Sequence, residues 1–325
     1  MGSGRSRAVV VAVIATLAST AISAGTAGAA FPGRAGPIAY SMVSHFGGPE
    51  GRIEDSGGIF VHGPKLSQPT RQLTEGIGDH SPNFSPNGRL IAFVVDDDRG
   101  RGDLFVMRND GSMKTQVTSG ADSDADPSFF PDGQRLAFSR SSGPDHHIFT
   151  IRIDGTGLRP LTSGHFDDYD PVVSPSGRQI AFVSDRDPDG RGDRGDIFTI
   201  RPDGTGLRVL IDGRLYDSDP DYAPSGRRIA FASNRGAGTS NVFIARANGR
   251  GVKQLTPCKP FPARCRTFSH PAYSPDGGHI AMLGGGSAID VIRSTGGPIK
   301  TFESASIDEE GTGTRLGPPA WGPVP

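Results

Sequence analysis

One motif recurs six times along the chain and constrains the fold more than any other feature. The copies read SPNFSPNGRLIAF from Ser81, DPSFFPDGQRLAF from Asp126, DPVVSPSGRQIAF from Asp170, DPDYAPSGRRIAF from Asp219, HPAYSPDGGHIAM from His270 and, truncated, PPAWGPVP from Pro318. Their first prolines are separated by 45, 44, 49, 51 and 48 residues. A period of this length is typical of a four-stranded propeller blade. The repeat therefore predicts an all-β fold, a six-bladed β-propeller with four-stranded blades.

Each period divides into four short strands. The first is predicted to begin at the motif's proline, and a turn such as Pro-Asp-Gly leads to the second, the IAF run. The third alternates apolar and polar residues, as in DLFVMR from Asp103. An Asp-Gly or Asn-Gly hairpin turn then leads to the fourth, as in TQVT from Thr115.

The two ends of the chain supply complementary parts of one blade. GPIAYSM from Gly36, GGIFVHG from Gly57 and TRQLT from Thr70 match the second, third and fourth strands of a blade that lacks its first strand. The surplus strand around Ala320 and Trp321 fits that vacancy. Pairing them removes two exposed sheet edges. We therefore expect the C-terminal strand to close the ring and residues 31–325 to form a single propeller domain.

Residues 1–30 have the pattern of a secretory signal peptide. Arg5 and Arg7 precede an apolar run from Ala8 to Ile22, and Ala27-Gly28-Ala29 supplies the small residues of a cleavage site. An uncleaved anchor is the alternative. No second apolar stretch is long enough to span a bilayer. The pattern predicts an exported protein, secreted or in the cell envelope or periplasm, with no membrane span after cleavage.

Two cysteines, Cys258 and Cys265, lie seven positions apart. In an exported protein an even number of cysteines favours a disulfide. Two thiols alone are too few for a structural zinc site. We expect a disulfide that closes the loop CKPFPARC.

The charge and the motif content exclude several function classes. The formal net charge of −1 gives no basic footprint for nucleic acid. The chain has no G-x-S-x-G nucleophile elbow, no H-E-x-x-H zinc motif and no P-loop. We expect no catalytic residue of these classes, no nucleic-acid partner and a monomer.

The repeat resembles that of a known family. The pattern P-x-aromatic-S-P-D-G-x-x-I-A-F, with Ser184-Asp185-Arg186 and Ser233-Asn234-Arg235 after two of the copies, is similar to the WD40-like (PD40) repeat of the TolB-like propellers. The resemblance covers essentially all of the chain after residue 30 and implies a six-bladed propeller. TolB itself carries a separate α/β domain before its propeller, whereas here we expect the propeller to begin soon after the predicted cleavage site, so the resemblance concerns the propeller domain only.

The predicted strand order divides the loops between two faces. The Pro-Asp-Gly and Asp-Gly turns share one face, the turn face, and the blade-to-blade connections share the other, the mouth face. Aspartates on the mouth face lead into the innermost strands, three residues before the proline or directly before it: Asp79, Asp124, Asp168 and Asp217 in the first position, and Asp126, Asp170 and Asp219 in the second. Phe268 and Leu316 replace the first-position aspartate in the other two blades, so the acidic ring is open on one side.

These aspartates allow two interpretations. Each could accept backbone N–H bonds and fix the local turn, as recurrence in a repeat favours. Alternatively, together they could bind a cation or a basic partner at the mouth of the channel. His80, His165 and His270 lie on the same face, and a transition-metal site built from them and an aspartate is a further alternative to surface or turn histidines.

One loop has the spacing of a calcium site. Between the second and third strands of one blade, D-x-D-x-D-G-x-x-D-x-x-D places Asp185, Asp187, Asp189, Asp193 and Asp196, with the carbonyl of Arg191 as a further ligand. The pattern resembles the calcium loops of EF-hands and of integrin α-chain propellers. Alternate carboxylates suit Ca²⁺. A solvated hairpin whose charges pair with Arg186, Arg191 and Arg194 is the alternative, and an Arg-Gly-Asp adhesion signal is disfavoured.

Two function classes follow. The first is an exported, non-catalytic propeller that binds a protein or an extracellular polymer through its acidic loop face. The second is a secreted hydrolase or lyase that acts on a polysaccharide at the mouth of the channel, where paired carboxylates could serve as general acid and base.

Overall fold

A computed structural model describes residues 31–47, 53–63, 69–186, 195–213, 215–235, 239–256, 266–285, 287–304 and 313–325. The predicted signal segment and both cysteines, Cys258 and Cys265, lie outside the described residues, so the cleavage and disulfide remain predictions. Within the described part of the chain, no helix has the length and hydrophobicity needed to cross a membrane.

The described residues form six antiparallel sheets, which are the six blades of a β-propeller. Blade 1 contains β1 Ala35–Gly47, β2 Ile53–His62, β3 Thr70–Gln72, β24 Gly313–Leu316 and β25 Ala320–Pro323. Blade 2 contains β4 Asp79–Phe84, β5 Leu90–Asp96, β6 Gly102–Arg108 and β7 Thr115–Gln116; blade 3 contains β8 Ser123–Phe129, β9 Arg135–Ser141, β10 His146–Arg152 and β11 Arg159–Pro160. Blade 4 contains β12 Asp168–Val173, β13 Ile180–Ser184, β14 Asp196–Ile200 and β15 Arg208–Ile211; blade 5 contains β16 Asp217–Tyr222, β17 Arg228–Ser233, β18 Asn241–Arg246 and β19 Lys253–Gln254. Blade 6 contains β20 Phe268–Tyr273, β21 His279–Gly284, β22 Ala288–Arg293 and β23 Lys300–Ser304. The predicted fold class is confirmed.

The C-terminal strand closes the ring as predicted. β25 pairs with β1, placing Ala320 opposite Ala39 and Trp321 opposite Ile38. Trp321 Nε1 also donates a hydrogen bond to the carbonyl oxygen of Gly36 at 3.0 Å. Farther along β1, β24 fills the rest of the innermost position. Blade 1 is therefore built from both ends of the described chain.

The innermost strands of blades 2 to 6 begin earlier than the motif suggests. They start three or four residues before the first proline and continue through it. A β-bulge lies at the proline in each case, seen as a register shift at His80/Asn83, Ala125/Ser128, Tyr169/Val172, Ser218/Asp221 and Ser269/Ala272. Proline has no N–H to give to the ladder, so the strand bulges there and resumes beyond it.

The bulge sets the backbone of the residue before each proline. That residue has a positive φ in all five blades: 53° at Ser81, 55° at Asp126, 54° at Asp170, 51° at Asp219 and 51° at His270. Non-glycine residues seldom adopt this conformation, and aspartate is among those that tolerate it best. The repeat thereby gives five side chains the same unusual direction at the channel mouth.

The apolar cores lie between and within the blades. The phenylalanine of the IAF run stands opposite the phenylalanine of the third strand, with ring centroids 6.0 Å apart for Phe93 and Phe105, 5.9 Å for Phe138 and Phe149, 6.1 Å for Phe182 and Phe198, and 5.9 Å for Phe231 and Phe243. Between blades 4 and 5, Ile197 packs in one cluster with Tyr222 and Phe231. These layers hold the mouth-face connections on a rigid base.

Candidate binding face at the channel mouth

The aspartates that begin the innermost strands are paired with cations of their own blades. Arg140 binds Asp124 through two parallel contacts, Nε to Oδ1 at 2.6 Å and Nη2 to Oδ2 at 2.8 Å. Equivalent pairs join Asp168 to Arg186 and Asp217 to Arg235, and Lys114 Nζ lies 3.8 Å from Asp79 Oδ1. All four aspartates are at most 2% exposed. Each of these buried carboxyls therefore has a cationic side chain of its own blade beside it.

The arginine partners also lie against aromatic rings. Arg140 lies 5.4 Å from the ring centre of Phe138, and Arg235 lies 5.4 Å from that of Phe231. Such stacking holds the planar guanidinium in place for its carboxylate. The triplets around Arg186 and Arg235 were visible in the sequence as a mark of the repeat, but their pairing with the strand aspartates was not predicted.

In blade 6 an arginine from a different position, just before the innermost strand, pairs with a different aspartate. Phe268 occupies the aspartate position, as the sequence shows, and Arg266 lies 5.8 Å from its ring centre. Arg266 Nη1 contacts Asp290 Oδ2 at 2.9 Å. Since Asp290 lies on β22, this pair was not recognisable from the motif.

The residues before the prolines form a connected arc at the channel mouth. The Asp170 carboxyl lies between those of Asp126 on one side and Asp219 on the other. His270 Nε2 lies 3.2 Å from Asp219 Oδ1, and the backbone N–H of His270 donates a hydrogen bond to Asp219 Oδ2 at 3.3 Å. His80 lies near Asp126 at the other end and contacts Asp96 at 3.2 Å. The structure thus brings together five of the predicted mouth residues, from blades 2 to 6.

Burial raises the pKa of two carboxyls of this arc, Asp126 and Asp170. Burial raises the pKa of Asp170 well above its usual range, and the neighbouring Asp126 and Asp219 carboxyls raise it further. Burial also raises the pKa of Asp126, against the lowering effect of the Ser139 hydroxyl that donates to Oδ2 at 2.9 Å. Adjacent carboxyls in such a site share protons and titrate as one unit.

Two tyrosines adjoin the arc. The hydroxyls of Tyr169 and Tyr216 are 2.7 Å apart, across blades 4 and 5. Burial raises the pKa of both phenols, and the charges of Asp170 and Asp219 add to the effect. Both tyrosines are therefore neutral hydrogen-bonding groups. Sequence reasoning missed them, although each directly precedes an aspartate of the mouth.

A cavity of about 250 Å³ opens beside the arc, between blades 3 and 4. It is lined by Ser123, Ala125, Asp126, Ser139, His146, Asp167 and Tyr169. His146 Nδ1 lies 3.0 Å from Asp167 Oδ1. His165, one of the predicted histidines, instead points into solvent and lies 3.5 Å from Asp145.

Exposed apolar side chains surround the mouth. Ile77 lies in the connection from blade 1 to blade 2, Phe166 in that from blade 3 to blade 4, and Leu215 and Tyr216 in that from blade 4 to blade 5. Between 39% and 53% of each residue is exposed. Aromatic and aliphatic groups of this kind are typical of the centre of protein interfaces.

The described residues show no ready metal site. Among them, no group of three or more His, Cys, Asp or Glu is arranged to hold a metal ion. Of the predicted calcium loop, Asp185 and Asp196 are described, whereas Asp187, Asp189, Arg191 and Asp193 lie outside the described residues. Asp185 Oδ1 accepts the backbone N–H of Asp167 at 2.8 Å, and Asp196 begins β14. Calcium binding remains a prediction from the sequence.

Comparison with known proteins supports the resemblance. No family model matches the chain. A 65-residue segment, 19% of this chain, is 38% identical to the Tol-Pal system protein TolB of Azoarcus sp. strain BH72 and covers 15% of that protein. The chain therefore matches only a small part of the length of this curated relative.

Solved structures extend the likeness over most of the fold. TolB from Acinetobacter baumannii superposes with a TM-score of 0.65 at 19% identity, covering 89% of this chain and 67% of that one. An oligogalacturonate lyase in complex with manganese superposes with a TM-score of 0.52 at 17% identity, covering 76% of this chain and 72% of that one. At these identities the likeness concerns the fold. Taken with the repeat and the closed ring, it shows that the chain folds as a six-bladed β-propeller similar to that of TolB.

Proposed function

We propose that this chain is an exported, non-catalytic propeller that binds a protein partner, or an extracellular polymer, through its mouth face. The observation that carries the proposal is the exposed apolar set around the channel mouth: Ile77, Phe166, Leu215 and Tyr216. Side chains of this kind on three separate connections, above a rigid ring, form the surface that a partner would cover.

The contacts and burial of the mouth-face aspartates favour a binding role over a catalytic one. The four strand aspartates are held by Arg or Lys, so they lack the freedom of a general base. The arc of Asp126, Asp170 and Asp219 is buried and tied to neighbouring blades. An acid–base pair needs one carboxylate free to accept a proton from substrate.

Export is the second part of the proposal. It is supported by the basic start, apolar run and small-residue cleavage pattern of residues 1–30. The likeness to a Tol-Pal system protein agrees with a place in the cell envelope. A protein partner there is the simplest occupant of the mouth face.

Site-specific photo-crosslinking in cells tests this proposal. A photoreactive amino acid replaces Leu215 on the mouth face, and in a second strain it replaces Leu207. Leu207 is a matched control because it is 44% exposed, against 41% for Leu215, but follows a hairpin turn on the opposite face. We expect discrete protein adducts from position 215 and none from position 207. Equal adducts at both positions contradict the proposal.

An activity assay separates the alternative. The purified wild-type chain is incubated with a panel of acidic and neutral polysaccharides, with and without added divalent cations. We expect no cleavage. Cleavage that Asp126→Asn abolishes would replace the binding proposal with a lyase or hydrolase at the mouth.

A further inference from the structure

The cavity between blades 3 and 4 has an unusual chemical lining. It presents two carboxyl groups, from Asp126 and Asp167, together with the His146 imidazole, the Tyr169 phenol and two serine hydroxyls. Among the described residues, no lysine or arginine lines it. Arg140, which follows the lining residue Ser139 in the sequence, forms ion pairs with Asp124 and Asp122. The described lining is thus rich in hydrogen-bond acceptors and contains no lysine or arginine.

Asp126 is the residue whose bonding is incomplete. Asp126 is 1% exposed, and its Oδ2 accepts a hydrogen bond from the Ser139 hydroxyl. Oδ1 is buried and receives no N–H or serine hydroxyl donor from the described residues. The Asp170 carboxyl is its acidic neighbour. A buried oxygen without a full donor is costly, and such groups usually have a water, an ion or a ligand as partner.

We propose that this cavity is a subsite for a primary ammonium group, with Asp126 and Asp167 as its anionic partners. An ammonium carries three N–H donors and no acceptor, which complements a lining of carboxyl, phenol and hydroxyl oxygens. The group could belong to a lysine side chain of a bound protein, in which case the inference rests on the proposed function, or to a free amine such as a diamine.

The neighbouring acids give this binding a distinctive signature. Burial raises the pKa of both Asp126 and Asp170, which favours their protonated forms. A cation next to Asp126 favours its ionised form, so binding should release a proton to solvent. A cation attracted only to surface aspartates would release none.

Isothermal titration calorimetry at pH 6 tests the subsite directly. The probes are Nα-acetyl-lysine N-methylamide, its norleucine analogue, which has the same stem without the ammonium, and 1,4-diaminobutane. Titrations in two buffers of different ionisation enthalpy report the proton release. The variants are Asp126→Asn and Asp167→Asn. Asp132→Asn, on a Pro-Asp-Gly turn, is the matched control.

We expect the lysine derivative to bind on the order of tenfold more tightly than the norleucine analogue, with proton release, because a charged hydrogen bond is lost in the analogue. Asp126→Asn should remove proton release and weaken binding on the order of tenfold, whereas Asp132→Asn should change neither. Asp167 lies at the exposed end of the cavity, so Asp167→Asn keeps the test valid if Asp126→Asn fails to fold.

Two results would overturn the inference: equal binding of the lysine and norleucine probes, or unchanged binding in both asparagine variants. Either could occur while crosslinking at Leu215 succeeds, so the proposed function would stand. If amines bind, repeating the crosslinking at position 215 in the Asp126→Asn variant distinguishes their source. Loss of the Leu215 adducts identifies a partner's lysine, and unchanged adducts identify a free amine, each in support of the subsite.

Discussion

Asp221 in blade 5 accepts the backbone N–H of Tyr273 in blade 6, with 2.6 Å between Oδ2 and N. The residue after the motif's proline makes the same inter-blade bond at two other interfaces: Asn83 Oδ1 to Phe129 N at 3.0 Å and Ser128 Oγ to Val173 N at 3.0 Å. Three different polar side chains thus serve one purpose. They pair a buried backbone donor that would otherwise lack a partner.

Replacing Asp221 tests the strength of this tie. Asp221→Ala removes the acceptor and leaves the buried N–H of Tyr273 unpaired, so we expect the free energy of unfolding to fall by about 1–3 kcal/mol. Asp221→Asn retains an acceptor oxygen and should stay closer to the wild type. Urea denaturation at pH 5 measures both. Equal losses in the two variants would contradict the assignment.

The same residue predicts a pH dependence of stability. Burial raises the pKa of Asp221 well above its usual range, and the N–H of Tyr273 only partly opposes this. The folded state therefore holds a proton that the unfolded state releases above about pH 4, so stability falls as the pH rises from there. Asp217, whose pKa burial raises to about 6, adds to the fall up to that pH.

We expect Asp221→Asn to flatten this decline when unfolding free energies are measured between pH 4 and pH 8. Asp203→Asn is the control. Hydrogen bonds from Thr205 lower the pKa of Asp203, so that residue titrates below the measured window. A decline as steep in Asp221→Asn as in the wild type would assign the pH dependence to other groups.

The pairing of Arg140 with Asp124 should stabilise the fold, in contrast to an exposed pair of similar geometry. Arg140→Ala leaves the Asp124 carboxyl buried without its cation, and we expect a loss of about 3 kcal/mol. Arg101 also binds an aspartate, with 2.9 Å between Nε and Asp97 Oδ2, but both groups face solvent. Arg101→Ala should therefore leave the unfolding midpoint unchanged. Similar losses in the two variants would contradict the structural role of the buried pair.

The fold was predictable because the same sequence motif, with its strands and turns, recurs six times along the chain. The 44-to-51-residue period, the turn chemistry and the missing first strand of blade 1 together predicted both the ring and its closure. The positions of the mouth aspartates were predictable for the same reason. Their partners were not, since Arg140 and Lys114 lie at different distances along the chain from Asp124 and Asp79, with which they pair.

The bulge at the motif's proline was also invisible in the sequence. A proline ordinarily suggests the edge or start of a strand. Here the ladder continues on both sides of it, because β5, β9, β13, β17 and β21 offer partners to residues before and after the proline. That tertiary pairing decides which way Asp126, Asp170 and Asp219 point.

Ring closure predicts a large effect of a small truncation. Deletion of residues 318–325 removes β25 and the hydrogen bond from Trp321 to Gly36. It also removes the close packing of Gly322 on the Phe84 ring, where an added Cβ would lie 2.5 Å from the ring. It also exposes the edge of β1. We expect the melting temperature to drop sharply and aggregation to rise. Removal of Pro325 alone, which is exposed, is the control. Melting curves that coincide would refute closure by β25.

The calcium prediction can be tested against a second loop of the same chain. Asp187→Ala with Asp189→Ala removes two of the alternating carboxylates, and we expect calorimetry to show that Ca²⁺ binding is lost, because Ca²⁺ needs several oxygen ligands at once. The matched control is Asp97→Ala with Asp98→Ala, in the hairpin between β5 and β6. There Asp97 Oδ1 accepts the N–H groups of Arg99 and Arg101, and no aspartate alternation follows. Calcium binding that persists in the first double variant, or that is absent from the wild type, would favour the solvated hairpin.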